Sequence, residues 1–160
     1  MNNLRNERVR SWLTLAARLI LGGVLLSAGY LKARNPTQAT ASVRVYKLLP
    51  VGLANVFGYA LPWIEIGLAL LLIVGIWVNQ TSILSGALMI LFIFAVGQAW
   101  ARKLAINCGC FGNGGLSADG KVHPAIYLTE ILRDIGLTAV AMYLYRFPHG
   151  KFSVDKEANA

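Results

Sequence analysis

Four long apolar runs dominate the 160-residue chain and limit what it can fold into. They extend from Trp12 to Leu31, Val51 to Val78, Ile83 to Trp100 and Ala125 to Tyr145. Each is close to the roughly 20 residues that an α-helix needs to cross a bilayer. Composition agrees, because only 14% of the residues are charged, whereas a soluble domain is about a quarter charged. We therefore predict an all-α integral membrane protein, a four-helix bundle.

Little of the chain lies outside these runs. We predict a basic N-terminal segment over residues 1–11, a four-span membrane domain over residues 12–146 and a polar C-terminal tail over residues 147–160. The second and third runs are joined by "NQTS", residues 79–82, which predicts a tight helical hairpin. The segment "PTQATASVRVYKLLP", residues 36–50, is either an amphipathic stretch on the membrane surface or a plain connecting loop.

The formal net charge of +8 would suit nucleic acid in a soluble protein, but no recognisable nucleic-acid-binding module accompanies it. The basic residues border the apolar runs, where they suit anionic lipid. Lysine and arginine are almost equally divided between the two sides, so we orient the chain by the arginine cluster before the first run. That cluster predicts an inner (cytoplasmic) membrane protein with its N-terminus inside and the turn after the third run on the exoplasmic side.

Both cysteines of the chain, Cys108 and Cys110, lie in that turn, within "INCGCFGNGG" (residues 106–115). An exoplasmic, oxidising location allows a disulfide to persist. Two cysteines separated by one residue close only a small ring, and strained disulfides exchange readily. The preceding Arg102 and Lys103 favour the thiolate. The pattern favours a redox-active disulfide that takes part in thiol-disulfide exchange.

Other interpretations of this turn stay open. The cysteines could form a static loop disulfide or be idle thiols. A metal site of Cys108, Cys110 and His123 lacks an obvious fourth ligand, although Asp119 and His149 are candidates, so we predict no metal. His123 is either a base for a thiol or a helix-entry residue before a proline.

Ionisable residues inside the apolar runs are costly in a membrane and are candidates for function. They are Arg18, Glu65, Glu130, Arg133 and Asp134. At 1.5 Å per residue, Glu130 lies about 9 Å and Asp134 about 15 Å inside the fourth span. We expect Arg133 to reach Glu65, so that Glu65, Arg133 and Asp134 form a polar cluster beneath the thiols. The cluster either relays protons or orients a quinone head group, or it is a buried ion pair that sets helix register. Arg18 is expected to extend to head groups at the other border.

Five motifs together carry a resemblance to a known family: "AGYLKARNP", "VYKLLP", "LPWIEIGLALLL", "CGCFG" and "LTEILRDIGLT". They resemble the MauE family of methylamine utilisation proteins, part of the wider DoxX-like group of four-helix membrane proteins. The resemblance extends from about Arg18 to Leu137. Its motifs fall on Lys32, Tyr46, Glu65, Cys108, Cys110, Arg133 and Asp134.

The resemblance implies a thioredoxin-like partner, MauD in the methylamine operon, and a role in disulfide formation in the exported methylamine dehydrogenase small subunit. A membrane enzyme that passes electrons between two internal disulfides needs four cysteines, and this chain has two. Its second electron step must then use a partner protein or a small carrier, for which a quinone is a candidate.

We predict a thiol-disulfide redox protein, a candidate oxidoreductase, that assists the maturation of an exported partner. One alternative is a non-catalytic membrane scaffold for a thioredoxin-like partner or for dehydrogenase assembly. Another is a small transporter or metal-handling protein.

Overall fold

The computed structural model describes residues 2–107, 115–116 and 123–148. Its elements in chain order are α1 (Asn2–Arg34), α2 (Pro36–Val45), α3 (Val51–Val74), α4 (Val78–Ala101), β1 (Ile106–Asn107), β2 (Gly115–Leu116) and α5 (Pro124–Arg146). Proline at the first position of α2 and of α5 suits a helix start, where no backbone N–H is needed. The predicted all-α, four-helix membrane bundle is confirmed.

Three of the long helices are apolar enough to cross a membrane: Val9–Arg34 within α1, α3 and α4. The 23-residue α5 is almost as long but contains four charged side chains, those of Glu130, Arg133, Asp134 and, at its last position, Arg146. Glu130, Arg133 and Asp134 are buried or half-buried, whereas another face of the helix carries exposed apolar residues such as Leu132 (58%) and Met142 (64%). An outward apolar face suits lipid, so α5 completes the bundle with these three charges turned inward.

The hairpin between α3 and α4 turns earlier than the sequence pattern suggests. α3 ends at Val74 because Gly75 adopts a left-handed conformation, with φ of 82°. The N–H groups of Gly75 and Ile76 both donate to the carbonyl of Leu71, which is a usual way of ending a helix at glycine. Residues 79–82, predicted as the connection, instead belong to the first turns of α4.

The segment between α1 and α3 is not the plain loop considered from the sequence. Residues Pro36–Val45 form α2, which packs against α3. The approach is close at Gly58 of α3, where a Cβ atom would lie 2.6 Å from the Cα of Thr40. Only glycine therefore fits between α3 and α2 at this point.

The bundle is built from two pairs, with α1 packed on α3 and α4 packed on α5. Their shared core contains Leu21, Leu25, Leu68, Ala69, Leu72, Met89, Leu137, Ala141 and Leu144. The Thr14 hydroxyl donates to the carbonyl of Phe147 at 3.3 Å, so the N-terminal half of α1 meets the C-terminal end of α5. We call this the opposite end. The other end, formed by Lys32–Arg34, α2, the strands and the start of α5, is the thiol end.

Candidate functional site

The strands β1 and β2 bring the two sides of the cysteine turn together at the thiol end. They pair antiparallel, with Ile106 opposite Leu116 and Asn107 opposite Gly115. β2 also packs against α2. Cys108 and Cys110 lie outside the described residues, as do Asp119 and His149. The described strands therefore place the chain on both sides of the cysteines next to α2.

Tyr127 holds the chain that leads into β1. Its side chain is fully buried in the first turn of α5, and its hydroxyl donates to the carbonyl of Leu104. The ring of Trp100, at the end of α4, stacks on Tyr127 with ring centres 6.2 Å apart. The start of the cysteine segment is thus fixed to both α4 and α5. In the sequence Tyr127 is only an aromatic residue near the start of the fourth apolar run, since nothing local reveals the distant carbonyl.

Tyr46, which the resemblance marked, follows the last turn of α2. Gln98 of α4 donates from Nε2 to its carbonyl at 3.2 Å. Tyr46 packs against the cluster of Val96, Ala99 and Tyr127. It therefore joins α2 to the same group of residues that holds the entry to the cysteine turn.

The partner of Glu65 is Lys32, and the expected pairing with Arg133 is wrong. The Nζ atom of Lys32 lies 2.5 Å from Oε1 of Glu65, and the two side chains are 6% and 0% exposed. The same ammonium lies 4.9 Å from the centre of the Phe92 ring. Two charges taken out of water need such a close partner to offset the cost of desolvation. The Oε2 atom of Glu65 has no hydrogen-bond partner among the described residues.

A close approach of α1 to α3 makes this pairing possible. A Cβ atom on Gly29 would lie 2.9 Å from the carbonyl oxygen of Pro62 and 2.8 Å from Cγ1 of Ile66. Helical side chains lean toward the N-terminus of their own helix, and α1 and α3 run in opposite directions. The side chains of Lys32 and Glu65 therefore lean toward each other across this contact.

Arg133 is paired within its own helix. Its Nη2 atom lies 2.5 Å from Oε2 of Glu130 and 2.8 Å from Oδ1 of Asp134. The Asp134 side chain is 1% exposed, and its Oδ2 atom has no donor in the part of the chain that the structure describes. The arginine therefore compensates two carboxylates of α5 at once.

A small cavity joins the two ion-paired groups. It has a volume of about 10 Å³, and Glu65, Arg133 and Asp134 all line it together with Phe92. That volume is about the least that holds one water molecule, and such a water needs polar partners. The three predicted cluster residues do meet, across this cavity rather than through a direct Glu65–Arg133 pair.

The charge balance of this group indicates what it can do. Glu65, Glu130 and Asp134 are three carboxylates that face two cations, Lys32 and Arg133. With all five ionised the group carries one excess negative charge, which is costly away from water. The proton relay considered from the sequence stays a prediction for this group.

Arg18 was expected to extend to the head groups, and the structure shows that it does not. Its side chain is fully buried at the opposite end, where Nε donates to the carbonyl of Leu72 at 2.8 Å and Nη2 donates to that of Ile73 at 3.0 Å. These carbonyls belong to the last turn of α3, which has no intrahelical donors for them. Arg18 therefore caps α3 and binds it to α1.

A second cavity, which the sequence did not predict, lies beneath α2 at the thiol end. It has a volume of about 350 Å³ and is lined by residues of α2, α3, α4 and the α2–α3 linker, with Lys32 contributed by α1. It exists because α1 ends at Arg34 and the short α2 only partly covers the space between α3 and α4. Since three elements create it jointly, no local sequence pattern signals it. We call it the α2 cavity.

No group of three or more His, Cys, Asp or Glu side chains suited to a metal ion occurs within residues 2–107, 115–116 and 123–148. Both cysteines of the metal alternative fall outside these ranges.

Comparison with known proteins gives one family. The family described as "Methylamine utilisation protein MauE" matches residues 10–147. The protein named methylamine utilization protein MauE in Methylorubrum extorquens is 38% identical over 102 residues, which cover 63% of this chain and 55% of that protein. Its namesake in Methylophilus methylotrophus is 31% identical over 134 residues, 82% of this chain and 67% of that protein.

A third protein of the same name, from Paracoccus denitrificans, is 29% identical over 128 residues, 79% of this chain and 65% of that protein. The chain thus spans between about half and two thirds of the length of these curated relatives. No solved structure matches it.

Proposed function

Because the chain belongs to the MauE family of methylamine utilisation proteins, we propose that it is a membrane thiol-disulfide redox protein. In this role its Cys108-Gly109-Cys110 turn assists disulfide formation in an exported partner. The relatives' names place them in methylamine utilisation, so methylamine dehydrogenase small subunit is the first client to test. A thioredoxin-like protein of the MauD type is the proposed intermediary.

The pairing of β1 with β2 is the observation that carries this proposal. It brings Asn107 opposite Gly115, so the chain enters and leaves the cysteine turn at one place on the thiol end. The entry is fixed by the bond from Tyr127 to the Leu104 carbonyl. Fixing the chain on both sides of the two cysteines supports a defined exchange reaction with a partner.

The proposed reaction is two successive thiol-disulfide exchanges. A thiolate of the partner attacks one sulfur of the Cys108–Cys110 disulfide, which forms a mixed disulfide and releases the other cysteine as a thiolate. The second thiolate of the partner then attacks the mixed disulfide. The partner leaves oxidised by two electrons, and Cys108 and Cys110 remain as two reduced thiols.

The cysteine turn is proposed to face the exoplasmic side of the inner membrane. A membrane-impermeant maleimide applied to intact cells tests both the side and the redox state. We expect labelling of Cys108 and Cys110 only after mild reduction. Thiols that stay unlabelled before and after reduction, but label after lysis, would place the turn inside and contradict oxidative maturation.

Single variants then test the exchange itself. A thioredoxin-like partner that keeps only its attacking cysteine cannot complete the second exchange, so it should stay bound to the wild-type chain as a mixed disulfide, visible as a reducible band on a non-reducing gel. Cys108→Ser and Cys110→Ser each lack the disulfide that the partner attacks and should trap none. The double variant should trap none and should fail to support client oxidation.

A scaffold without redox chemistry is the second candidate. Exposed apolar side chains at the α2–α3 linker and at the start of α3 favour it, since Leu48, Leu49 and Val51 are 41%, 38% and 65% exposed and offer a surface on which a partner can dock. Normal client maturation with the Cys108→Ser/Cys110→Ser double variant would establish the scaffold and exclude exchange.

A further inference from the structure

We propose that the α2 cavity binds a lipid-soluble quinone, which reoxidises the Cys108–Cys110 thiol pair. The proposal rests on the proposed thiol-disulfide function and adds the identity and the place of its electron acceptor.

The cavity has the size and lining of a site for an apolar ring. Its volume of about 350 Å³ lies within the range of about 300–1,000 Å³ typical of small-molecule sites. Aromatic and aliphatic residues, among them Phe92, Ala95 and Val96, form most of its wall. Such a lining favours a hydrophobic molecule that reaches the site from the bilayer.

The polar side chains of the wall favour a quinone over a lipid tail. Lys32 lines the cavity. Its ammonium group has three N–H donors. Among the described residues, only Oε1 of Glu65 accepts a hydrogen bond from it. Lys32 is only 5% exposed, so a further acceptor from a ligand would offset part of its desolvation. A quinone carbonyl supplies that acceptor within an apolar ring, whereas an acyl chain has none.

The cavity shares residues with the structure that holds the cysteine turn. Tyr46 and Val96 line it; Val96 belongs to the cluster that contains Tyr127, and Tyr46 packs against that cluster. The hydroxyl of Tyr127 binds the carbonyl of Leu104, four residues before Cys108. Four residues span at most about 14 Å. The described chain that leads toward the cysteines is therefore attached to residues that also line the cavity.

The electron count requires an acceptor outside the chain, and a quinone is one that can take two electrons. Each client disulfide leaves Cys108 and Cys110 reduced, and the chain has no other cysteine to accept the two electrons. In the proposed step both S–H bonds break and one S–S bond forms. The two electrons and two protons pass to the quinone, whose two carbonyl oxygens become the hydroxyls of a quinol. Glu65, which pairs with Lys32, and Asp134 both line the small polar cavity, and their carboxylates are the proposed route for these protons.

The test uses the full chain in lipid nanodiscs with decylubiquinone as the probe. One measurement is the binding of the quinone, and the other is its reduction after the thiols have been reduced. Ala95→Phe fills the cavity from α4. Ala87→Phe makes the same change on the exposed face of the same helix and is the matched control. Exchange with a thioredoxin-like dithiol, measured without quinone, reports separately on the proposed function.

We expect wild type and Ala87→Phe to bind and reduce the quinone. Ala95→Phe should lose at least tenfold in quinone affinity and keep exchange with the dithiol. Should this variant fail to fold, a photoreactive benzoquinone on wild type replaces it, and its adducts should map to α2 and α4.

Three outcomes would overturn the proposal. Dithiol exchange without quinone binding would leave the proposed function standing and remove its acceptor. Phospholipid retained in the cavity that decylubiquinone does not displace would assign the site to lipid. Quinone binding without any thiol exchange would show that the cavity does not serve the cysteines, and it would contradict the proposed function as well.

Discussion

Lys32 of α1 and Glu65 of α3 form an ion pair inside the bundle, with 2.5 Å between Nζ and Oε1. They are 33 residues apart in the chain and are both almost inaccessible. Lys32 lines the α2 cavity, and Glu65 lines the small polar cavity. The pair therefore lies between the two cavities.

Removing the lysine alone should be more harmful than removing both charges. Lys32→Met leaves Glu65 buried without its cation, which costs about 3–5 kcal/mol, whereas a pair replaced by apolar residues is often neutral. We expect Lys32→Met to lower the unfolding free energy strongly and Lys32→Met/Glu65→Leu to recover most of it. Unfolding in mixed micelles, followed by circular dichroism, measures both. Lys47→Met, at an exposed lysine after α2, is the control, and an equal loss there would contradict the argument.

The carboxylates at the polar cavity should affect turnover more than assembly. Glu65→Gln and Asp134→Asn keep side-chain size but remove the ability to exchange a proton. We expect the rate of thiol turnover to fall at least tenfold while the amount of inserted protein stays unchanged. Glu7→Gln makes the same change in α1 at the opposite end and should turn over normally. Unchanged turnover in both cavity variants would assign the cluster a purely structural role.

Gly29 and Gly23 offer a matched test of the α1–α3 contact. A Cβ on Gly29 would meet Pro62 and Ile66 closer than 3.0 Å, whereas one on Gly23 would meet nothing within 4 Å. Overpacking typically costs about 1–3 kcal/mol, so Gly29→Ala should lower stability by that order. Gly23→Ala should be neutral or stabilising, since alanine favours a helix by about 1 kcal/mol. Similar melting temperatures for the two variants would argue against the close approach.

Gly75 and Arg18 can be tested in the same way at the opposite end. Alanine at the left-handed φ of Gly75 costs about 1–2 kcal/mol, and its Cβ would also overlap the Arg18 guanidinium. Gly75→Ala should therefore lower the melting temperature clearly. Gly67→Ala in the same helix meets nothing within 4 Å and serves as the control. A stable Gly75→Ala variant would show that Arg18 does not need this space.

The hydroxyl of Tyr127 should matter for the cysteine turn. Tyr127→Phe removes the bond to the Leu104 carbonyl, which is worth about 0.5–1.5 kcal/mol. We expect a small loss of stability and a changed rate of thiol alkylation at Cys108 and Cys110, because the entry to the turn is loosened. Tyr145→Phe, at an exposed tyrosine near the opposite end of α5, should change neither. Identical alkylation rates in both variants would refute this role.

The periodic and local features were accessible from the sequence, while the partners across the bundle were not. The apolar runs predict four long helices because spanning a bilayer imposes their length. The partner of Glu65 depends on how closely α1 approaches α3, which Gly29 sets through a contact with a distant backbone. The role of Arg18 depends in the same way on where α3 ends. Residues 36–50 lack a strong apolar pattern, and their helix is stabilised by packing on α3.

The helices α1 and α3 are fastened to each other twice, by Arg18 at the opposite end and by Lys32 nearer the thiol end. Fourteen residues of helix, about 21 Å, separate the two fastenings. Sliding or rotating α1 along α3 would break the Arg18 hydrogen bonds and the Lys32 ion pair at once, so the two helices move as one rigid body. Any movement that accompanies docking at the cysteine turn should then occur in the α4–α5 pair. Distance measurements between spin labels should find the α1–α3 spacing constant while the α4–α5 pair moves against it.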